Sequence, residues 1–179
     1  MEKLAAEYPR QELILLTYHT QGKYSTDETR DHAMSYSINP NWTPSLVFNG
    51  LAGSNLMMGP LGYEAYKERF ETLRNQDAPV LIQSKVTSSG FMSAAVELTN
   101  LGSEGITFAS LYAVVYEDTR QSEGHYLVKD ITPVSTINIP AGGTAKFDLN
   151  SVIRVSANNH MVIILRAASG IILQALFAS

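Results

Sequence analysis

The sequence predicts an α/β unit followed by an all-β sandwich, on three observations. Before about residue 77 the apolar residues alternate between helical and strand-like spacing, and beyond it the period is two. A short polar linker closed by proline, Asn75-Gln76-Asp77-Ala78-Pro79, separates the two textures. The remaining stretch carries seven or eight short apolar segments divided by turn residues, the pattern of a β-sandwich. The predicted units are therefore 1–77 and 78–179.

In the first unit, Leu4, Ala5 and Tyr8 form a short helical face that Pro9 ends. Glu12–Tyr18 is a near-continuous apolar run, as in a strand covered on both faces. Ser25, Thr26 or Asp27 is placed to cap a helix from about Glu28 to Tyr36, which Asn39-Pro40-Asn41 stops. Ser45–Asn49 and Asn55–Met58 read as two strands joined by the turn Gly50–Gly53. Tyr63, Tyr66, Phe70 and Leu73, spaced by three and four, predict an amphipathic helix over Leu61–Asn75.

In the second unit, Ile82, Ser84 and Val86 alternate with Gln83, Lys85 and Thr87, and Met92, Ala94, Val96 and Leu98 with Ser93, Ala95, Glu97 and Thr99. Phe108–Glu117, His125–Ile131, Val134–Ile139, Thr144–Leu149, His160–Ala167 and Ile171–Phe177 complete the predicted strands.

Composition removes several function classes. With 45% hydrophobic and 17% charged residues, the chain has material for a packed core and a low charge density, which favours buried sheet or an interface. Residues 1–77 hold seven Lys/Arg against ten Asp/Glu and residues 78–179 six against seven, so neither half offers a basic surface for nucleic acid. No apolar run reaches the ~20 residues of a membrane helix, and the charged start Met1-Glu2-Lys3 is unlike a signal peptide. Cysteine is absent, so this chain has no disulfide, thiolate metal site or thiol nucleophile. No cofactor is expected.

Four segments of the first unit carry a resemblance: Glu2–Pro9, Glu12–His19, Asp31–Ile38 and Trp42-Thr43-Pro44-Ser45-Leu46-Val47-Phe48-Asn49-Gly50. Their order resembles the thioredoxin fold from its active-site helix onward, with a Thr-Pro pair entering a hydrophobic strand that a turn glycine follows. Val96–Gly102 and Ile172–Ala175 are similar to the second unit of Omp28-like bacterial envelope proteins, in which a thioredoxin-like unit precedes an immunoglobulin-like one. The resemblance implies a truncated thioredoxin-like α/β unit followed by an immunoglobulin-like β-sandwich, in the periplasm or cell envelope.

The thioredoxin family's first strand and Cys-x-x-Cys pair would precede the helix that opens this chain. Thiol exchange needs a low-pKa thiolate and a resolving thiol, and neither is present here. Two readings follow: an upstream segment of a longer protein holds both, or another strand fills the place. An unpaired sheet edge recruits strands, so self-association as a homo-oligomer is expected.

The candidate sites are few. Trp42, Thr43 and Pro44, with Tyr18 and Tyr24 near them, would make an aromatic surface for an extended protein or peptide segment, against the alternative of core packing. His32 with Asp31 and Asp27 has donors for a metal but no helical pairing of histidines. Glu117, Asp118, Glu123 and Asp130 bracket a loop without the regular spacing of a calcium loop. Solvated or capping roles fit these polar residues better. The expected function is a non-catalytic envelope module that binds protein or peptide; the alternative is part of a thiol–disulfide oxidoreductase.

Overall fold

The computed structural model describes residues 2–39, 45–50, 56–59, 61–87, 90–118 and 126–178. The chain is β-rich, and among the described residues its strands form three antiparallel sheets. In the N-terminal unit, α1 (Glu2–Glu7) packs beside α3 (Tyr63–Arg74), and α2 (Asp27–Met34) lies between them in sequence. A two-stranded sheet pairs β1 (Ser45–Val47) with β2 (Leu56–Met58). Leu4, Leu13, Phe48 and Phe70 form its small core, with Tyr8 tilted on Phe70 at 4.6 Å between ring centroids.

The helix α2 begins where the sequence offers caps. Thr26 is the N-cap: its hydroxyl accepts from the Thr29 amide at 3.1 Å, and its own amide donates to the Thr29 hydroxyl at 2.9 Å. This is a capping box built with threonine at its third position. The helix ends at Met34, two residues before the expected Tyr36.

Among the described residues, seven strands make the sandwich. One sheet has the order β3 (Val80–Val86), β4 (Phe91–Asn100), β7 (Thr144–Arg154). The other has the order β6 (Leu127–Ile139), β5 (Ile106–Glu117), β8 (Asn159–Arg166), β9 (Ile172–Phe177). Val96, Leu98, Leu111, Val115, Leu149, Ile163 and Leu165 fill the space between them. β3, β4 and β7 show one polar face each, as their period-two patterns predict.

The two segments expected as separate strands around Pro133 are one strand, β6. It is an outermost strand, where a residue without an N–H is tolerated, and Pro133 pairs with Tyr112. Two bulges on opposite strands offset each other near its far end. β5 carries an extra residue between Ile106 and Ala109, and β6 an extra one opposite Ala109–Leu111. Phe108 and Thr136, both at positive φ (54° and 63°), lie in these bulges.

The Glu12–Tyr18 run differs from its expectation. Leu13–Leu16 belongs to no sheet, and Thr17 alone bridges, in parallel, to Leu127 of β6. Both faces of the run are covered, yet by two different cores. Leu13 and Leu15 join the small α/β core, while Ile14, Leu16 and Tyr18 pack on Val114, Val128, Val162 and Ile164 of the four-stranded sheet. The run is the wall between the units.

Candidate functional site

The outer face of the four-stranded sheet is where chemistry-bearing side chains gather, because the N-terminal unit docks there. Backbone bonds fasten it at diagonal corners. At one, the Thr17 amide donates to the Tyr126 carbonyl (2.8 Å) and the Val128 amide to the Thr17 carbonyl (3.0 Å). At the other, the Ile172 amide at the start of β9 donates to the Asn49 carbonyl (2.9 Å). Each corner carries an arginine that crosses the interface, one from each unit.

At the β6 corner, Arg10 of the N-terminal unit donates to the Tyr116 hydroxyl (2.8 Å) and to Asp118 Oδ2 (2.7 Å). Its guanidinium lies 4.9 Å from the Tyr126 ring centroid, 5.6 Å from Tyr116 and 5.9 Å from Phe177. Three rings and a carboxylate therefore form a cage that its own chain fills. His160 stacks on Tyr116 at 5.3 Å. Burial pushes the Tyr116 phenol up to about 12. Burial, then Arg10, lowers the His160 imidazole. The adjoining cavity, lined by Ala5, Arg10, Leu13, Leu15, Tyr126 and Phe177, has room for about one water molecule.

At the other corner, Arg166 of β8 donates to the Ser35 hydroxyl (2.7 Å) and the Ser35 carbonyl (2.6 Å), and lies over the Tyr36 ring at 4.5 Å. Beside it His32 is buried among three tyrosines. Its Nε2 shares a 2.9 Å hydrogen bond with the Tyr36 hydroxyl, and its ring meets Tyr36 at 5.0 Å, Tyr18 at 5.3 Å and Tyr112 at 4.7 Å. Burial, reinforced by Arg166, lowers the His32 imidazole to about 4. Burial raises Tyr36 to about 12 and Tyr18 well above its ordinary value. Tyr18 is half-buried as a residue, but its hydroxyl is fully enclosed and has no hydrogen-bond partner among the described residues.

The sequence-derived sites fare unevenly. Trp42, Thr43 and Pro44 lie outside the described residues, as do His125, Glu123 and the turn 51–53. Of the aromatic residues grouped with them, Tyr18 belongs to the interface just described, so the core-packing alternative holds for it. Tyr24 is half-buried, edge-on to His19 at 5.4 Å. The His32–Asp31–Asp27 trio diverges: His32 faces inward, Asp31 is exposed, and Asp27 pairs with Arg30. Glu117 pairs with Lys129 (3.3 Å), Asp118 with Arg10, and Asp130 with Ser151, so these carboxylates are tied down separately. Among the described residues no cluster of three or more His, Asp or Glu is placed to hold a metal.

No family model matches the chain, and no curated protein sequence does. Among solved structures it is similar to HBP35 of Porphyromonas gingivalis, with a TM-score of 0.57 at 12% identity, over 85% of this chain and 58% of that one. That share is too large to lie in residues 78–179 alone, so the likeness extends into the N-terminal unit. At such identity it shows a shared fold. The Pseudomonas fluorescens alkylpurine DNA glycosylase AlkC (TM-score 0.40, 16% identity, 62% of this chain and 33% of that one) is too distant to bear on this chain. The same holds for Bacteroides uniformis β-glucuronidase (0.37, 15%, 55% and 12%). This chain spans 58% or less of the length of each.

One surface feature escaped the sequence reading. On the outward face of the three-stranded sheet, Phe91 (47% exposed) and Val152 (77%) lie near one end, and the exposed Val155 (48%) follows β7 there. Phe91 pairs with Arg154 across β4 and β7, and the Val155 amide donates to the Gly90 carbonyl at 3.1 Å. Arg154 lies over the Phe91 ring at 5.6 Å and makes no ion pair among the described residues. The signal in the sequence was Val152, an apolar residue in phase with the outward Lys146, Asp148, Asn150 and Arg154 of β7.

Proposed function

We propose that this chain is a non-catalytic module of the bacterial cell envelope that binds a polypeptide segment, apolar and bearing a carboxylate, at the Phe91–Val152–Arg154–Val155 patch. The patch carries the reading. A cluster of exposed apolar side chains on a largely polar sheet face marks an interaction surface, and an aromatic residue beside an arginine is the composition of binding hot spots. Arg154 supplies a charge that an acidic partner would complement. The interface arginines and the His32 imidazole, by contrast, are engaged where the two units meet.

The envelope setting rests on the resemblance to Omp28-like proteins. We read the sandwich as immunoglobulin-like from its seven strands and the order β3-β4-β7 against β6-β5-β8-β9. The sequence α2, β1, antiparallel β2, α3 supports the thioredoxin-like reading of the N-terminal unit.

Screening a peptide library against the purified protein tests the function, with the selected sequences measured by calorimetry. Enrichment of apolar segments containing Asp or Glu is expected. Val152→Asp should weaken them about tenfold or more, since it places a repelling charge and a desolvation cost in the patch. Binding that is indifferent to Val152→Asp and to Phe91→Ser would count against this surface.

A further inference from the structure

We propose that His32 is an acid-sensitive latch: protonation of its imidazole releases the N-terminal unit from the outer face of the four-stranded sheet. His32 belongs to α2, on one side of the interface, while Tyr112 and Arg166 that face it belong to β5 and β8 on the other. Any charge created on the ring therefore acts across the join between the units.

Among the described residues, none that faces the ring bears a counter-charge for an added proton. The wall run contributes Tyr18, the turn after α2 contributes Tyr36, β5 contributes Tyr112 and β8 contributes Arg166. On α2 itself, Glu28 and Asp31 are on the exposed side. The charges of β6 are engaged elsewhere, Lys129 with Glu117 and Asp130 with Ser151 and Thr132. β9 has no charged residue. An imidazolium here would be buried among phenols and would repel a guanidinium. That same guanidinium holds Ser35 through two hydrogen bonds, three residues along the chain from His32. Repulsion thus falls on the bonds that fasten this corner.

Burial and Arg166 hold the ring neutral in the docked state, to about 4 against an ordinary 6.5. The sign follows from proton counting. Between those values the undocked ring binds more protons than the docked one, so docking is strongest above 6.5 and weakens as the pH falls. The opening equilibrium grows by at most about tenfold per pH unit across the window. Release would uncover Val114, Val162, Ile164 and the aromatic cage now filled by Arg10. This does not depend on the patch at Phe91, which lies on the other sheet.

Hydrogen exchange of the full chain, corrected for intrinsic rates, tests it. From pH 7 to 4.5 the Val128 and Ile172 amides, which bond to the N-terminal unit, should lose protection at least tenfold. Those of Ala113 and Ile163, in the β5–β8 ladder, should keep theirs. His32→Phe keeps the ring packing and should make the profile flat. Unchanged protection in the wild type overturns the proposal. So does an equal loss in His32→Phe, which would shift the cause to another group such as Asp118. If His32→Phe fails to fold, an NMR titration of the wild-type ring decides. A midpoint well below 6.5 that coincides with Val128 exposure supports the latch, and titration near 6.5 with the amides still protected overturns it.

Discussion

At the scale of single residues, the interface is a set of cross-unit contacts made by side chains distant in sequence. Arg10 shows what such a contact contributes. Its guanidinium is half-buried, and Asp118 beneath it is largely so. Removing the arginine leaves the carboxylate and the Tyr116 hydroxyl short of a donor in a partly dry site, which costs more than the pair itself contributes. Arg10→Met keeps much of the stem packing against Tyr126 and Phe177 and isolates that polar effect. The expected outcome is a loss of about 1–3 kcal/mol in urea unfolding, with a smaller loss in Asp118→Asn, which keeps an acceptor. None of this was legible in the sequence. Arg166 and Ser35 are 131 positions apart and Arg10 and Asp118 are 108 apart. Tyr18 likewise reads either as part of an aromatic surface with Trp42 and Tyr24 or as core, until its packing on His32 and the four-stranded sheet decides it. Local spacing carries no record of such partners.

At the scale of elements, the sequence was far more informative, because period and punctuation are local properties. β3, β4 and β7 announce themselves by alternation, and α3 by the spacing of Tyr63, Tyr66, Phe70 and Leu73. Where the reading of elements slipped, tertiary context had decided. His125–Ile131 and Val134–Ile139 read as two strands because the sequence does not say that β6 is outermost, where Pro133 is tolerated. Glu12–Tyr18 looked like a sheet strand because double-faced burial is shared by a sheet interior and by a wall between two cores. A further signal lay unused: β5 and β8 are apolar on both faces, unlike β3, β4 and β7, which marks their sheet as the covered one. The corner at Asn49 depends on an element boundary of the same kind. Gly50 follows it at φ +75°, and a Cβ there would meet Ile172 Cγ1 at 2.7 Å and the Gly170 carbonyl oxygen at 2.9 Å. Gly50→Ala therefore combines backbone strain with an overlap against main chain that has nowhere to move. It should destabilise the protein by about 1–3 kcal/mol, and Ile172 should lose amide protection before the β5–β8 ladder does. Gly22→Ala is the control: it has the same backbone strain but open space around it, so its smaller loss measures strain alone.

At the scale of the whole molecule, the decisive feature is that β5 and β8 serve two cores at once. Leu111, Val115, Ile163 and Leu165 point into the sandwich, while Val114, Tyr116, Val162 and Ile164 point into the interface. A sheet shared in this way couples the units, since neither can unfold without exposing apolar surface of the other. The N-terminal core, built on Leu4, Leu13, Phe48 and Phe70, is small, and the sandwich has a larger one; without coupling they would melt apart. With it, a single cooperative transition is expected near neutral pH, with far-ultraviolet dichroism and tyrosine fluorescence changing together. Leu16→Ala probes the coupling directly, because Leu16 lies on the wall and touches the outer face of the sheet. Truncating it removes apolar contact from the interface while leaving the sandwich interior intact, at a cost of about 2–4 kcal/mol. If the sheet couples the units, the variant's transition shifts to lower denaturant as one step with its slope preserved. Should the two probes instead separate in the wild-type protein, the units are energetically independent, and the shared sheet is only a place where they touch.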